Sequence, residues 1–163
     1  MNTLNSIINF PFALFFRDEL WGIFGLILVL MFHGSAINHL YMRFERLTRQ
    51  NLAKSRYNLV FFHFYSAFVF IALIHVFEII LWAVMITALN LIGDPVKAIL
   101  FAGSCYTTVG FESDFLPDGW KTMAFFISLS GLFSLAWTTS IMIGMTSTYK
   151  EAWNLKYGQS DDD

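Results

Sequence analysis

The chain has 163 residues, of which 56% are apolar, 18% aromatic and only 13% charged. Soluble domains average about 45–50% apolar and about 25% charged, so half the usual charge is missing; the mean hydropathy is +0.58. This excludes a disordered chain. A net charge of −2 argues against a nucleic-acid partner, and a single cysteine, Cys105, excludes an intrachain disulfide.

In chain order, the stretch Ile7–Phe16 is apolar but has no base before it, only Arg17 after it, so it does not read as a signal peptide. Phe10, Pro11, Phe12, Phe15 and Phe16 are expected at a membrane interface ahead of Trp21. Three long runs then lack Asp, Glu, Lys and Arg: Leu20–Met42, Tyr57–Phe77 (continued beyond Glu78 by Ile79–Gly93) and Thr122–Tyr149. A membrane span takes about 20 mostly apolar residues. The runs therefore predict three transmembrane helices, at about 20–42, 58–89 and 120–148, in one membrane domain covering 1–163. Within it, 1–57 holds an N-terminal helix and a basic loop, 58–149 an outer helix, pore loop and inner helix, and 150–163 a tail whose end, Ser160–Asp163, is expected to fray.

Arg43–Asn58 carries five of the ten bases, Arg43, Arg46, Arg49, Lys54 and Arg56, against one acid, Glu45. The excess of cytoplasmic Lys and Arg in membrane proteins puts this loop and the C-terminus inside and the N-terminus outside. The same bases offer a lipid head-group site as a lesser reading. The outward side would hold Asp18, Glu19, Asp94, Glu112, Asp114 and Asp118 against Arg17, Lys97 and Lys121, an acidic excess that draws cations.

Between the second and third spans, Ala98–Phe111 is apolar but too short to cross. Asp94 as cap and Pro95 at the first position open a helix, and Thr107-Thr108-Val109-Gly110 ends it. The expectation is a re-entrant helix followed by an extended strand. Irregular backbone at membrane depth occurs where it is buried in protein or lines water, and its carbonyls can replace the hydration shell of a cation.

Residues 75–140 resemble the pore module of potassium channels. Tyr106-Thr107-Thr108-Val109-Gly110-Phe111 is similar to the filter signature Thr-Thr-Val-Gly-Tyr-Gly-Asp. The wider pattern resembles small bacterial members of the ion-channel (two-pore-domain-like) family: His75-x-x-Glu78 and Trp82 in the outer helix, Pro117-x-x-Trp120-Lys121 beyond the filter, and Gly131 with Trp137-Thr138-Thr139 in the inner helix. The resemblance implies an all-α homotetrameric cation channel in a bacterial inner membrane. Potassium or another monovalent cation would lie on the carbonyls of Thr107, Thr108, Val109, Gly110 and Phe111, with the Thr108 hydroxyl at the innermost site. Glu112 stands where the family has its second glycine, Ser113 where it has aspartate, and Asp114 follows. Glu112 and Asp114 then form an acidic mouth, or Glu112 degrades the filter and leaves a non-conducting membrane subunit that keeps the scaffold. A third reading of Glu112 is a solvated loop acid.

His75 and Glu78 share a helix face and are expected to brace the pore helix through Ser104, Tyr106 or Thr107, with Trp82 and Tyr106 as further filter support. Proton sensing and metal binding are the lesser readings of the pair. No second catalytic group accompanies them, so no enzyme is predicted. Gly131, Trp137, Thr138 and Thr139 are candidate gate or cavity residues, although the threonines can equally bond back to their own helix. His33 and His39 read as packed polar groups, His63 shows no partner, and Cys105 reads as a buried small side chain. The expected partners are lipid and further copies of the chain, with no nucleotide domain and no nucleic acid.

Overall fold

The computed structural model describes residues 12–110 and 115–158, with side chains from Asp18 onward. The described residues are helical, with no strand among them: α1 Phe12–Leu52, α2 Tyr57–Ala88, α3 Pro95–Tyr106 and α4 Met123–Tyr157. α1, α2 and α4 are long and apolar enough to cross a membrane, as the charge-free runs predict. α2 is helical despite its many β-branched and aromatic residues, because in hydrocarbon every backbone polar group must be satisfied internally.

Two helices run further than expected. α1 continues to Leu52, so Arg43, Arg46 and Arg49 belong to it, and the connection to α2 is only residues 53–56. Its last turns are held by Phe44, buried with Phe64 at 6.4 Å between ring centroids, and by the Glu45–Arg49 ion pair at i,i+4. α4 continues to Tyr157 because Tyr149 and Trp153 stack against Phe61, at 5.0 and 5.8 Å, and Lys156 Nζ donates to Asn58 Oδ1 at 2.6 Å.

The chain forms two compact units. The first draws on Met1–Val29 and Ile79–Leu132, the second on Leu30–Glu78 and Phe133–Asp163. In the first, α3 is the central element: Phe101, Ala102, Cys105 and Tyr106 are buried in one apolar cluster with Val29, Trp82, Met123 and Ile127. In the second, Ile37, Phe44, Phe64, Ile71 and Met145 form the core.

α1, α2 and α3 end in the same way. The residue after the last turn has a positive φ, Ser55 at 52°, Asn90 at 55° and Thr108 at 58°. Each is followed by a paired 5→2 and 6→1 hydrogen bond back into the helix, the Schellman arrangement that usually recruits glycine. Asn tolerates this conformation; a β-branched threonine does so at a cost.

Candidate functional site

Asp94 and Pro95 open α3 as expected. The Asp94 carboxylate accepts from the amides of Val96 at 2.9 Å and Lys97 at 3.4 Å, satisfying two of the four donors a helix start leaves open. Trp82, fully buried, packs in the cluster that holds Tyr106, and its Nε1 donates to Ser130 Oγ at 2.9 Å. Ser128 Oγ donates to the Cys105 carbonyl at 2.8 Å. Gly131 lies directly against α3: a Cβ there would collide with the Tyr106 carbonyl oxygen. The candidate gate glycine therefore has a packing role at the C-terminal end of α3.

The segment after α3 differs from the expected strand. Thr107 is the C-cap, with Oγ1 donating to the Gly103 carbonyl at 2.7 Å. The Thr108 amide bonds Cys105 O and the Val109 amide bonds Ser104 O, both at 3.0 Å. Positive φ occurs at Thr108 (58°) and Gly110 (85°) but not at Val109 between them. A regular strand turns successive carbonyls to opposite sides. The sign of φ alternates along this segment, so it lacks the regular two-sided alternation of a strand. Among the described residues, no hydrogen bond is made to the carbonyls of Thr107, Thr108, Val109 or Gly110, and the Val109 side chain is 80% exposed. The C-terminal, partially negative end of α3 points into this segment. Phe111, Glu112, Ser113 and Asp114, the end of the expected filter and its acidic mouth, lie outside the described residues, as do the Phe10 and Pro11 of the expected interface and the acidic tail.

Beyond the expected filter, Pro117–Trp120 forms a turn closed by Trp120 N to Pro117 O at 3.1 Å, with Gly119 at φ 85°, the third position of a type II turn where glycine is required. Asp118 pairs with Lys121 at 3.3 Å. Asp18, expected among the outward surface acids, is instead 3% exposed. Its Oδ2 accepts from both the amide and the hydroxyl of Thr122, the residue just ahead of α4.

The second unit holds the buried carboxylate. Glu78 is 0% exposed. Its partners include His33, whose Nδ1 lies 2.7 Å from Oε1, and His75, whose Nδ1 lies 3.9 Å from Oε2. Thr138 Oγ1 is 3.1 Å from His75 Nε2 and 3.4 Å from His33 Nε2. His33 was not legible as a partner of Glu78 from spacing; the available signal was that a buried carboxylate in a span requires a polar partner on some other helix. Trp137 packs on Gly34 and, at 5.9 Å, near the His33 ring. Thr139 donates back to the Leu135 carbonyl at 2.8 Å, whereas Thr138 is turned into the cluster. His39 and His63 lie apart from it, on a groove of about 730 Å³ that Arg43 also lines.

No family model, curated protein or solved structure matches this chain.

Proposed function

We propose that the chain is a subunit of a homotetrameric pore-loop cation channel that conducts potassium or mixed monovalent cations passively. The observation that carries this reading is the end of α3. A helix too short to span, with one face buried, delivers, between two helices long enough to span, a segment whose φ alternates in sign and whose carbonyls are left without hydrogen bonds among the described residues. Four such segments around an axis would supply the ring of oxygens that replaces a cation's hydration shell, and one chain supplies only one.

Thr107, Thr108, Val109, Gly110 and Phe111 would line the filter, with Glu112 and Asp114 at its mouth. Trp82 and Tyr106 support the segment from the apolar cluster around α3, and His75 and Glu78 belong to the support expected from the family resemblance. α4 is the inner helix, with Thr139 as the cavity candidate, since Thr138 is turned into the histidine cluster. The exposed apolar residues Leu132, Phe133, Leu135 and Ile143 are available to neighbouring subunits or lipid. Potassium is cargo here, and the ion is moved without chemistry. In the orientation set by the basic residues of 43–56, the mouth faces outward and the C-terminus is cytoplasmic.

The test is rubidium uptake into liposomes containing the purified full chain, together with its mass in detergent. Uptake that potassium competes with, from a tetramer, is the expected result. A monomer or dimer, or vesicles that exclude rubidium while a control channel conducts, would refute the reading and leave a non-conducting scaffold subunit as the surviving alternative.

A further inference from the structure

The second unit contains a ring of four side chains whose chemistry goes beyond the supporting role that the channel reading gives His75 and Glu78. Glu78 faces the Nδ1 atoms of His33 and His75, and Thr138 Oγ1 faces their Nε2 atoms. His33 and Glu78 are 0% exposed and His75 is 15% exposed. The ring draws on three helices: His33 on α1, His75 and Glu78 on α2, Thr138 on α4.

Its hydrogen-bond inventory is constrained. A hydroxyl oxygen has two lone pairs, so Thr138 can accept an N–H from both imidazoles. Both rings then turn Nδ1 toward the Glu78 carboxylate, the side on which one cation would meet two imidazole nitrogens and an anion together. A proton shared by His33 and Glu78 closes the 2.7 Å edge. It does not close the 3.9 Å edge from His75 Nδ1 to Glu78 Oε2, which is too long for a hydrogen bond.

A metal ion can serve both edges. Two ligands each about 2.05 Å from tetrahedral zinc lie roughly 3.3 Å apart, and the 2.7 and 3.9 Å edges bracket that separation. One ligand atom from each of the three residues falls within 4.8 Å of the others. Two imidazoles and one carboxylate form a three-ligand set that zinc sites use when a fourth position is left to water. Metal-binding histidines characteristically have their second nitrogen held by another polar group, which is the place Thr138 occupies. Ser134, one turn before Thr138 on α4, is fully buried with an unpaired hydroxyl among the described residues, and so adds a free polar atom to the same helix face.

We propose that His33, His75 and Glu78 form a binding site for a divalent transition-metal ion of the zinc class, with Thr138 orienting both imidazoles. The ion would tie α1 to α2, and the exposed edge of His75 is its way in. This assignment stands whether or not the chain conducts.

The experiment uses the full chain in detergent, stripped with chelator, incubated with Zn²⁺, desalted and analysed for metal. The wild type should retain about one zinc per chain. His33→Ala and Glu78→Gln should retain none, and Thr138→Val should weaken binding roughly 10- to 100-fold. The His39→Ala/His63→Ala double variant, which alters histidines on the separate groove, should bind as the wild type does. A gain-of-signal variant covers the case in which the loss variants do not fold: His75→Cys loaded with Co²⁺ should acquire a thiolate-to-cobalt charge-transfer band that the Co²⁺-loaded wild type lacks. Failure of the wild type to retain zinc overturns the site, as does zinc that persists in His33→Ala and Glu78→Gln. Zinc lost with His39 and His63, or no new band in His75→Cys, overturns it as well.

Discussion

Thr108 offers the sharpest test of how the structure is held at the end of α3. It is a β-branched residue at φ 58°, kept there by the two hydrogen bonds from its own amide and that of Val109. A left-handed conformation costs a residue with a Cβ about 1–2 kcal/mol. Thr108→Gly removes that cost and adds about 0.5–1 kcal/mol of unfolded-state entropy, for a net gain of roughly 0.5–1 kcal/mol. Thr108→Asn keeps a side chain that tolerates the conformation and should gain about as much. Thr108→Val keeps the branch and loses only the hydroxyl, so it should gain nothing. For a chain of this size 1 kcal/mol corresponds to about 2–4 °C in Tm, which thermal unfolding in detergent can resolve. The expected order is Gly and Asn above wild type, with Val level with it. A Tm for Thr108→Gly below wild type, with Val unchanged, would mean that the position is not strained, and the account of how α3 ends would fall. Strain retained by a natural sequence concentrates at functional sites. The same variants therefore bear on the channel proposal: if the Thr108 hydroxyl is an ion ligand, Val and Gly should both reduce rubidium uptake although only Gly changes stability.

Further predictions concern the support of the same segment. Gly131→Ala drives a methyl into the Tyr106 carbonyl and should cost about 1–3 kcal/mol, as overpacking does; Gly144→Ala, whose new Cβ would meet Tyr41 Oη at an ordinary 3.6 Å, should stay within about 0.5 kcal/mol, and equal Tm values for the two would remove the packing argument. Trp82→Phe leaves the ring volume largely in place but deletes the bond to Ser130 Oγ, so a loss of about 1 kcal/mol is expected, and an unchanged denaturation midpoint would show that the bond contributes nothing. Burial pushes the Cys105 thiol up to about 11. Because the thiolate is the reactive form, and a raised pKa means that it accumulates only at high pH, roughly one molecule in a thousand carries it at pH 8. Maleimide should label the folded chain slowly even at pH 9 and the SDS-unfolded chain at once; rapid labelling of the folded protein would contradict the buried placement.

The three long helices were legible in the sequence because charge is expelled from hydrocarbon, and the gaps between charges mark the spans directly. Their ends were not, because the edge of the hydrocarbon and the end of a helix are different boundaries. Arg43, Arg46 and Arg49 mark the first boundary, while α1 continues to Leu52 on the strength of Phe44 and the Glu45–Arg49 pair. Asp94 and Pro95 were legible because a cap and an N1 proline act through the backbone within three residues. Thr108 was not: nothing in a threonine announces a positive φ, and the preference of the residue runs against it. The polar residues divide by the same rule of range. His75 could be paired with Glu78 from their i,i+3 spacing, but the closer partner, His33, is 45 residues away. Asp18 reads locally as one more acid near a membrane surface, while its ligands are the amide and hydroxyl of Thr122, 104 residues away. In a soluble protein an acid can meet its need from water, so its partner carries little information about the fold. Inside a span it cannot. Among the described residues, the buried acids Asp18 and Glu78 are therefore the ones whose partners do most to specify which helices must meet: Asp18 fastens α1 to Thr122, just ahead of α4, in the first unit, and Glu78 with His33 fastens α2 to α1 in the second.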